Sequence, residues 1–101
     1  MYGPCPKGHW SANAGLRLPH RHLTPGRRYR VARAFTDYDG HRHEAGETWT
    51  FLGASFSPHE DGQSLFVSLD GSQEWDIRLQ WRPETQGAVL DALGDFIQPV
   101  E

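Results

Sequence analysis

From Glu74 to Trp81 the chain alternates without a fault: Trp75, Ile77, Leu79 and Trp81 are apolar, and Glu74, Asp76, Arg78 and Gln80 between them are polar. Side chains of a strand point alternately to its two faces, so this period of two predicts one face in a core and the other in water. Such a strand has to pair. Asp70-Gly71 supplies a hairpin turn just upstream, and Leu65, Val67 and Leu69 repeat the alternation before it. A chain built around this hairpin is mainly β, and its remaining segments must supply the other strands.

Those strands are readable on either side. Pro25-Gly26 makes a turn, after which Tyr29, Val31, Arg33 and Phe35 alternate with Arg30, Ala32 and Ala34. Residues 37–47 form a long excursion punctuated by Asp39-Gly40 and Ala45-Gly46. The stretch TWTFLGASF, residues 48–56, is rich in β-branched and aromatic residues, with Gly53 expected to mark a bulge. Past the hairpin the period changes. Pro83 suits the first turn of a helix whose apolar stripe is Val89, Leu90 and Leu93, and Gly94 ends it. Phe96, Ile97 and Val100 then read as a short strand that Pro99 confines to an edge.

Residues 1–24 hold Gly3, Pro4, Pro6, Gly8, Gly15 and Pro19 with little apolar periodicity. They are expected to form an irregular basic arm, with residues 1–15 separable from a small β-barrel domain over residues 25–101. With 101 residues in all there is room for one core. Cys5 is the single cysteine, which excludes an internal disulfide and fits a reducing compartment, so a cytoplasmic location is expected. Neither a signal-peptide pattern nor an apolar run of about 18 residues is present, so no membrane partner is expected.

The order of these elements resembles a small Src-homology-3-like barrel of about five strands with one short C-terminal helix. AFTDYDGHRHEAGETWTFLG, residues 34–53, looks like its first strand, long loop and second strand, and DFIQPVE, residues 95–101, like its closing strand. Five blocks, FTDYDG, GETWTFLG, FSPHEDG, SLFV and IRLQW, together resemble a bacterial family known as domain of unknown function 3601. The resemblance spans residues 25–97 and implies a fold and a bacterial source. It implies no activity.

The motifs of the common chemistries are missing. No G-x-S-x-G elbow, G-x-G-x-x-G turn or G-x-x-x-x-G-K-[ST] loop occurs, so neither an enzyme nor a nucleotide cofactor is expected. Two His-Arg-His triplets, His20/His22 and His41/His43, place imidazoles on one side of an extended chain, and Cys5 with His9 is half of a metal knuckle. Solvated loop histidines are the expectation, with no metal. Trp49, Trp75 and Trp81 follow the inward register and are expected in the core.

Charge is distributed unevenly. Residues 1–36 carry Lys7, Arg17, Arg21, Arg27, Arg28, Arg30 and Arg33 with no acid, whereas the remainder has a net charge of −10 from 13 acids against Arg42, Arg78 and Arg82. The arm is expected to lie on the domain's own acidic surface. In a small barrel the loops after the first and second strands project from the same end, which predicts an acidic rim of Asp37, Tyr38, Asp39, Glu60 and Asp61. The function expected is therefore a protein-binding module that meets a basic partner, a toxin-neutralising immunity-type protein being one form of it. The alternative is a nucleic-acid-binding barrel that uses the basic arm and stacks bases on Tyr2, Trp10 and Tyr29.

Overall fold

The computed structural model describes residues 1–100; Glu101, the last residue of the expected closing segment, lies outside the described residues. Eight strands form among the described residues: β1 (Tyr2–Pro6), β2 (Arg28–Val31), β3 (Phe35–Thr36), β4 (Arg42–His43), β5 (Thr48–Ser57), β6 (Gly62–Ser68), β7 (Gln73–Gln80) and β8 (Ile97–Pro99). Two short helices, α1 (Gly87–Asp91) and α2 (Leu93–Phe96), precede β8. No helix among the described residues is long and apolar enough to cross a membrane. Six strands make one antiparallel sheet in the order β1-β7-β6-β5-β2-β8, and β3 with β4 makes a separate ribbon.

The mainly β class, the β6–β7 hairpin and the edge position of the last strand match the sequence reading. The closed barrel of about five strands does not. The sheet is open, with β1 and β8 as its two edges. Prolines dull both: Pro4 and Pro6 in β1 and Pro99 in β8 offer no N–H to a further strand. The single expected helix is also divided, because Ala92 leaves helical geometry at φ −122° and ψ 39°.

One face of the sheet carries the core. Tyr29 and Val31 of β2, Trp49, Phe51 and Ala54 of β5, Leu65 and Val67 of β6, and Ile77 and Leu79 of β7 meet Leu90, Leu93, Phe96 and Ile97 from the C-terminal helices and β8. Trp75 packs against this cluster half-buried. Trp81 does not join it. β7 ends at Gln80, and Trp81 is 43% exposed, its indole N–H on Asp91 at 2.9 Å and the Arg21 guanidinium 5.3 Å from its ring centre. Once the strand is over, the period that pointed it inward no longer applies.

The second face is where the structure departs furthest from the sequence reading. Glu74, expected in water, is 2% exposed. The supposed arm is strand β1 hydrogen-bonded along β7, followed by a segment that crosses the sheet and covers it. The amides of Gly8, Trp10 and Ser11 donate to the Glu74 carboxylate at 2.7, 2.9 and 3.1 Å, and the Ser11 hydroxyl donates as well. Burial opposes the charge, but the hydroxyl and the three amides outweigh it and hold this carboxyl below its usual range. Trp10 stacks on Phe66 with ring centres 5.1 Å apart. Further on, the segment passes over the expected bulge, where Phe51 opposes Val67 and Gly53 opposes Phe66. A Cβ on Gly53 would lie 1.9 Å from the carbonyl oxygen of Leu16, so only glycine lets the two backbones approach this closely.

Asp76 shares the second face and has no comparable set of donors. Its Oδ2 accepts from the Ser64 hydroxyl at 3.2 Å, and its Oδ1 has no partner among the described residues. Burial pushes its carboxyl up to about 6, against the pull of Ser64 and Arg78.

This packing can be checked at three points. Gly53→Ala destabilises the fold by about 1–3 kcal/mol, as overpacking against backbone does, and a smaller loss in a denaturant titration would mean that residues 16–17 move aside freely. Deleting residues 1–11 removes all four donors to Glu74 and lowers the thermal midpoint by roughly 10 °C or more, whereas a separable arm would leave it unchanged. For Asp76 the sign comes from its raised value: between about pH 4 and 6 the native chain keeps a proton that the unfolded chain has released, so the stability this group contributes falls as pH rises and stays lost above pH 6. Asp76→Asn keeps the Ser64 contact without the charge. It should raise unfolding free energy by about 1–3 kcal/mol at neutral pH and leave it unchanged near pH 3.5; equal stability at neutral pH would show that the carboxylate is well solvated.

Candidate binding cleft and the buried histidine cluster

Two features of the fold gather polar side chains: a cleft at the Gln80 end of β7 and a buried cluster inside the 37–47 excursion. The cleft forms because the excursion is docked onto the sheet, the amide of Tyr38 donating to the carbonyl of Arg78 at 2.7 Å. It has a volume of about 320 Å³ and is lined by Tyr38, His59, Glu60, Gln63, Arg78 and Arg82 among others. Its far wall is the β5–β6 turn. There the amide of Trp81 donates to the carbonyl of Asp61 at 2.8 Å, and Asp61 is held at a φ of 50°, a conformation that non-glycine residues seldom adopt.

The five residues of the expected rim are not equivalent. Tyr38 is 55% exposed, and with Glu60 it faces the cleft. Asp39 and Asp61 stand at its margins, each paired with an arginine: Arg78 Nε donates to Asp39 Oδ2 at 3.1 Å and Arg82 Nε to Asp61 Oδ2 at 3.0 Å. The Arg78 guanidinium outweighs a small cost of burial and holds the Asp39 carboxyl below its usual range. Asp37 is not on the rim at all. Its side chain is buried, where hydration had been expected. The cleft is therefore of mixed charge, with Glu60 the carboxylate that has no ion-pair partner among the described residues. Arg78 escaped the sequence reading because an outward residue on a strand carries no mark of what a distant loop will bring beside it, and Arg82 and Gln63 because one lies past the end of β7 and the other is a polar residue on the buried face of β6.

Asp37 instead belongs to the buried cluster. Its Oδ1 accepts from the amides of Asp39 and His41, both at 3.0 Å, which closes the tip of the excursion. Its Oδ2 lies 2.8 Å from His43 Nε2 and 2.6 Å from the amino group of Met1. His43 is fully buried, stacked on Phe35, and its Nδ1 lies 2.6 Å from Glu47 Oε2. The Trp49 indole donates to the same Glu47 oxygen at 3.2 Å. Burial favours the neutral imidazole, but the Glu47 and Asp37 carboxylates outweigh it and raise His43 above the ordinary histidine value. For Asp37, burial is likewise outweighed by the Met1 amino group, His43 and the His41 amide, which leaves its carboxyl lowered.

The basic segment is placed differently again. Arg17, Arg21, Arg27, Arg28, Arg30 and Arg33 are all exposed, and none forms an ion pair among the described residues. The arm does lie against acids of the domain, but it meets them through the amides of residues 8–11 on Glu74 and the Met1 amino group on Asp37, not through these arginines. Arg28 and Arg30 face outward from β2 because Tyr29 and Val31 face in. Tyr29 is buried with its hydroxyl on the His22 carbonyl, and Trp10 is stacked on Phe66, so of the three expected base-stacking rings Tyr2 alone is well exposed.

Comparison with known proteins adds a lineage. The family model described as "Domain of unknown function (DUF3601)" matches residues 17–101. A solved structure of an integron cassette protein from the mobile metagenome of Vibrio cholerae is 36% identical, with a TM-score of 0.81, over 86% of this chain and 96% of that one. No curated protein matches. Residues 2–11, which supply β1 and the donors to Glu74, lie outside the family match.

Proposed function

The chain belongs to the family described as domain of unknown function 3601, and from that premise we propose that it is a bacterial protein-binding module that seats an extended segment of its partner in the cleft below Tyr38. The observation that carries this reading is Tyr38 itself: a ring left 55% exposed at the mouth of a cleft while its backbone is tied to β7. A ring held in place by the fold loses little freedom when a ligand covers it. Glu60, unpaired beside it, offers a counter-charge for a lysine or arginine whose cation sits over the tyrosine face. Arg78 and Arg82 supply donors for the partner's carbonyl groups.

The partner is then a polar segment with one well-placed cation. It is not a surface that demands a strip of negative charge. Asp39 and Asp61 are neutralised by their arginines, and Asp37 is buried, so mimicry of a phosphate backbone in an immunity-type role is the less favoured form of the proposal.

The test is to capture partners from a bacterial lysate with the intact chain and measure their affinity for variants. Tyr38→Ala should fold normally and bind about 30-fold more weakly, the loss typical of an interface anchor. Glu60→Gln should weaken binding less. Arg28→Glu with Arg30→Glu should leave it unchanged. Full affinity of Tyr38→Ala would overturn the proposal, and loss of binding in the arginine variant alone would move the contact to β2 and favour a nucleic acid or another polyanion.

A further inference from the structure

His41, His43 and Glu47 each offer a ligand atom, and the three atoms lie within 4.8 Å of one another. They meet because His41 and His43 are two residues apart in an extended segment and therefore share a side, while the turn through Gly46, at φ 100°, brings Glu47 back to them. We propose that these residues form a binding site for a divalent transition metal, with zinc the best match to two imidazoles and one carboxylate. The proposal is independent of the cleft reading.

The geometry around His43 is what separates this trio from a chance gathering of loop histidines. In metal sites a ligating imidazole usually donates its other N–H to a carboxylate, which fixes the tautomer and turns the free nitrogen toward the ion. Asp37 does this here, accepting from Nε2 at 2.8 Å and leaving Nδ1 directed at Glu47. Asp37 is thus a positioning residue. It is in turn held by the amides of Asp39 and His41, so the ring cannot rotate without giving up its hydrogen bond to a fixed carboxylate.

Binding replaces the proton shared by His43 Nδ1 and Glu47 with the metal, and that proton leaves to solvent. In a tetrahedral zinc site the ligand atoms stand about 3.3–3.6 Å apart, as bonds of about 2.0–2.2 Å require. The 2.6 Å contact must therefore open and the wider separation close. Both adjustments fall on side chains that can make them, since Glu47 is half-buried and His41 is exposed. The fourth position lies on the side of His41, open to water.

The intact chain, stripped with a chelator, is titrated with zinc chloride and separately with cobalt chloride. One zinc should bind per chain and raise the thermal midpoint by roughly 10 °C at a concentration about 100-fold above Kd. Cobalt should show the intense visible absorption of a tetrahedral site. His41→Ala should keep the metal-free midpoint, because the ring is exposed, while losing both the zinc increment and the cobalt band. Glu47→Gln should lose the cobalt band too. His20→Ala with His22→Ala should retain everything. Absence of one-to-one binding, or a zinc increment that persists in His41→Ala, would overturn the proposal by showing no site or binding at other histidines.

Discussion

The contact on which the second face of the sheet depends is the Glu74 carboxylate, which receives three amides and a hydroxyl from residues 8–11. A carboxylate so placed acts like the anion in a backbone nest, and the protein provides the nest from its own N-terminal segment. Amides that a loop would otherwise leave to water are satisfied, and the loop is pinned across the strands. Without that anchor, Trp10 would have no reason to lie on Phe66, nor the chain to approach Gly53 as closely as it does. A sheet solvated on one side thereby becomes a layered domain.

A second carboxylate organises the 37–47 excursion. Asp37 binds the amides of its own turn with one oxygen and His43 with the other. The same excursion presents Tyr38 outward and packs His43 inward, so one loop serves two environments, with its shape set from inside. Because the turn is closed by backbone donors, the orientation of Tyr38 depends little on the residues exposed around it.

Much of the fold was legible because strands advertise themselves by period. β5, β6 and β7 lie where alternation or β-branched content placed them, and the bulge fell at Gly53. The strand expected through Tyr29, Val31, Arg33 and Phe35 is broken: β2 stops at Val31, Arg33 is exposed, and Phe35 opens β3 of the separate ribbon. β1 was not legible: Tyr2-Gly3-Pro4-Cys5-Pro6 has no alternation, and its pairing with β7 across most of the chain is set by geometry rather than by local preference. Trp81 was misplaced because a period does not announce its own end. For the site, the types of residue were visible and their partners were not. Tyr38 and Glu60 do share a cleft, but Asp37 went inward, since a carboxylate that caps a turn and one that meets solvent look alike in sequence. His41 and His43 could be paired from their spacing alone, whereas Glu47 joined them only through the turn at Gly46.

The pairing of Asp39 with Arg78 and Asp61 with Arg82 also shapes the field around the molecule. With those acids cancelled and Glu74, Asp76 and Asp37 buried, a chain of formal charge −3 keeps its unpaired arginines at the surface, two of them side by side on β2. Its surface charge is therefore uneven. At physiological salt, fields fade over about 8 Å, so an approaching molecule responds to the patch in front of it and not to the sum. A polyanion arriving at β2 meets attraction from a protein whose net charge would repel it, and the orientation of first encounter is decided before any cleft is reached.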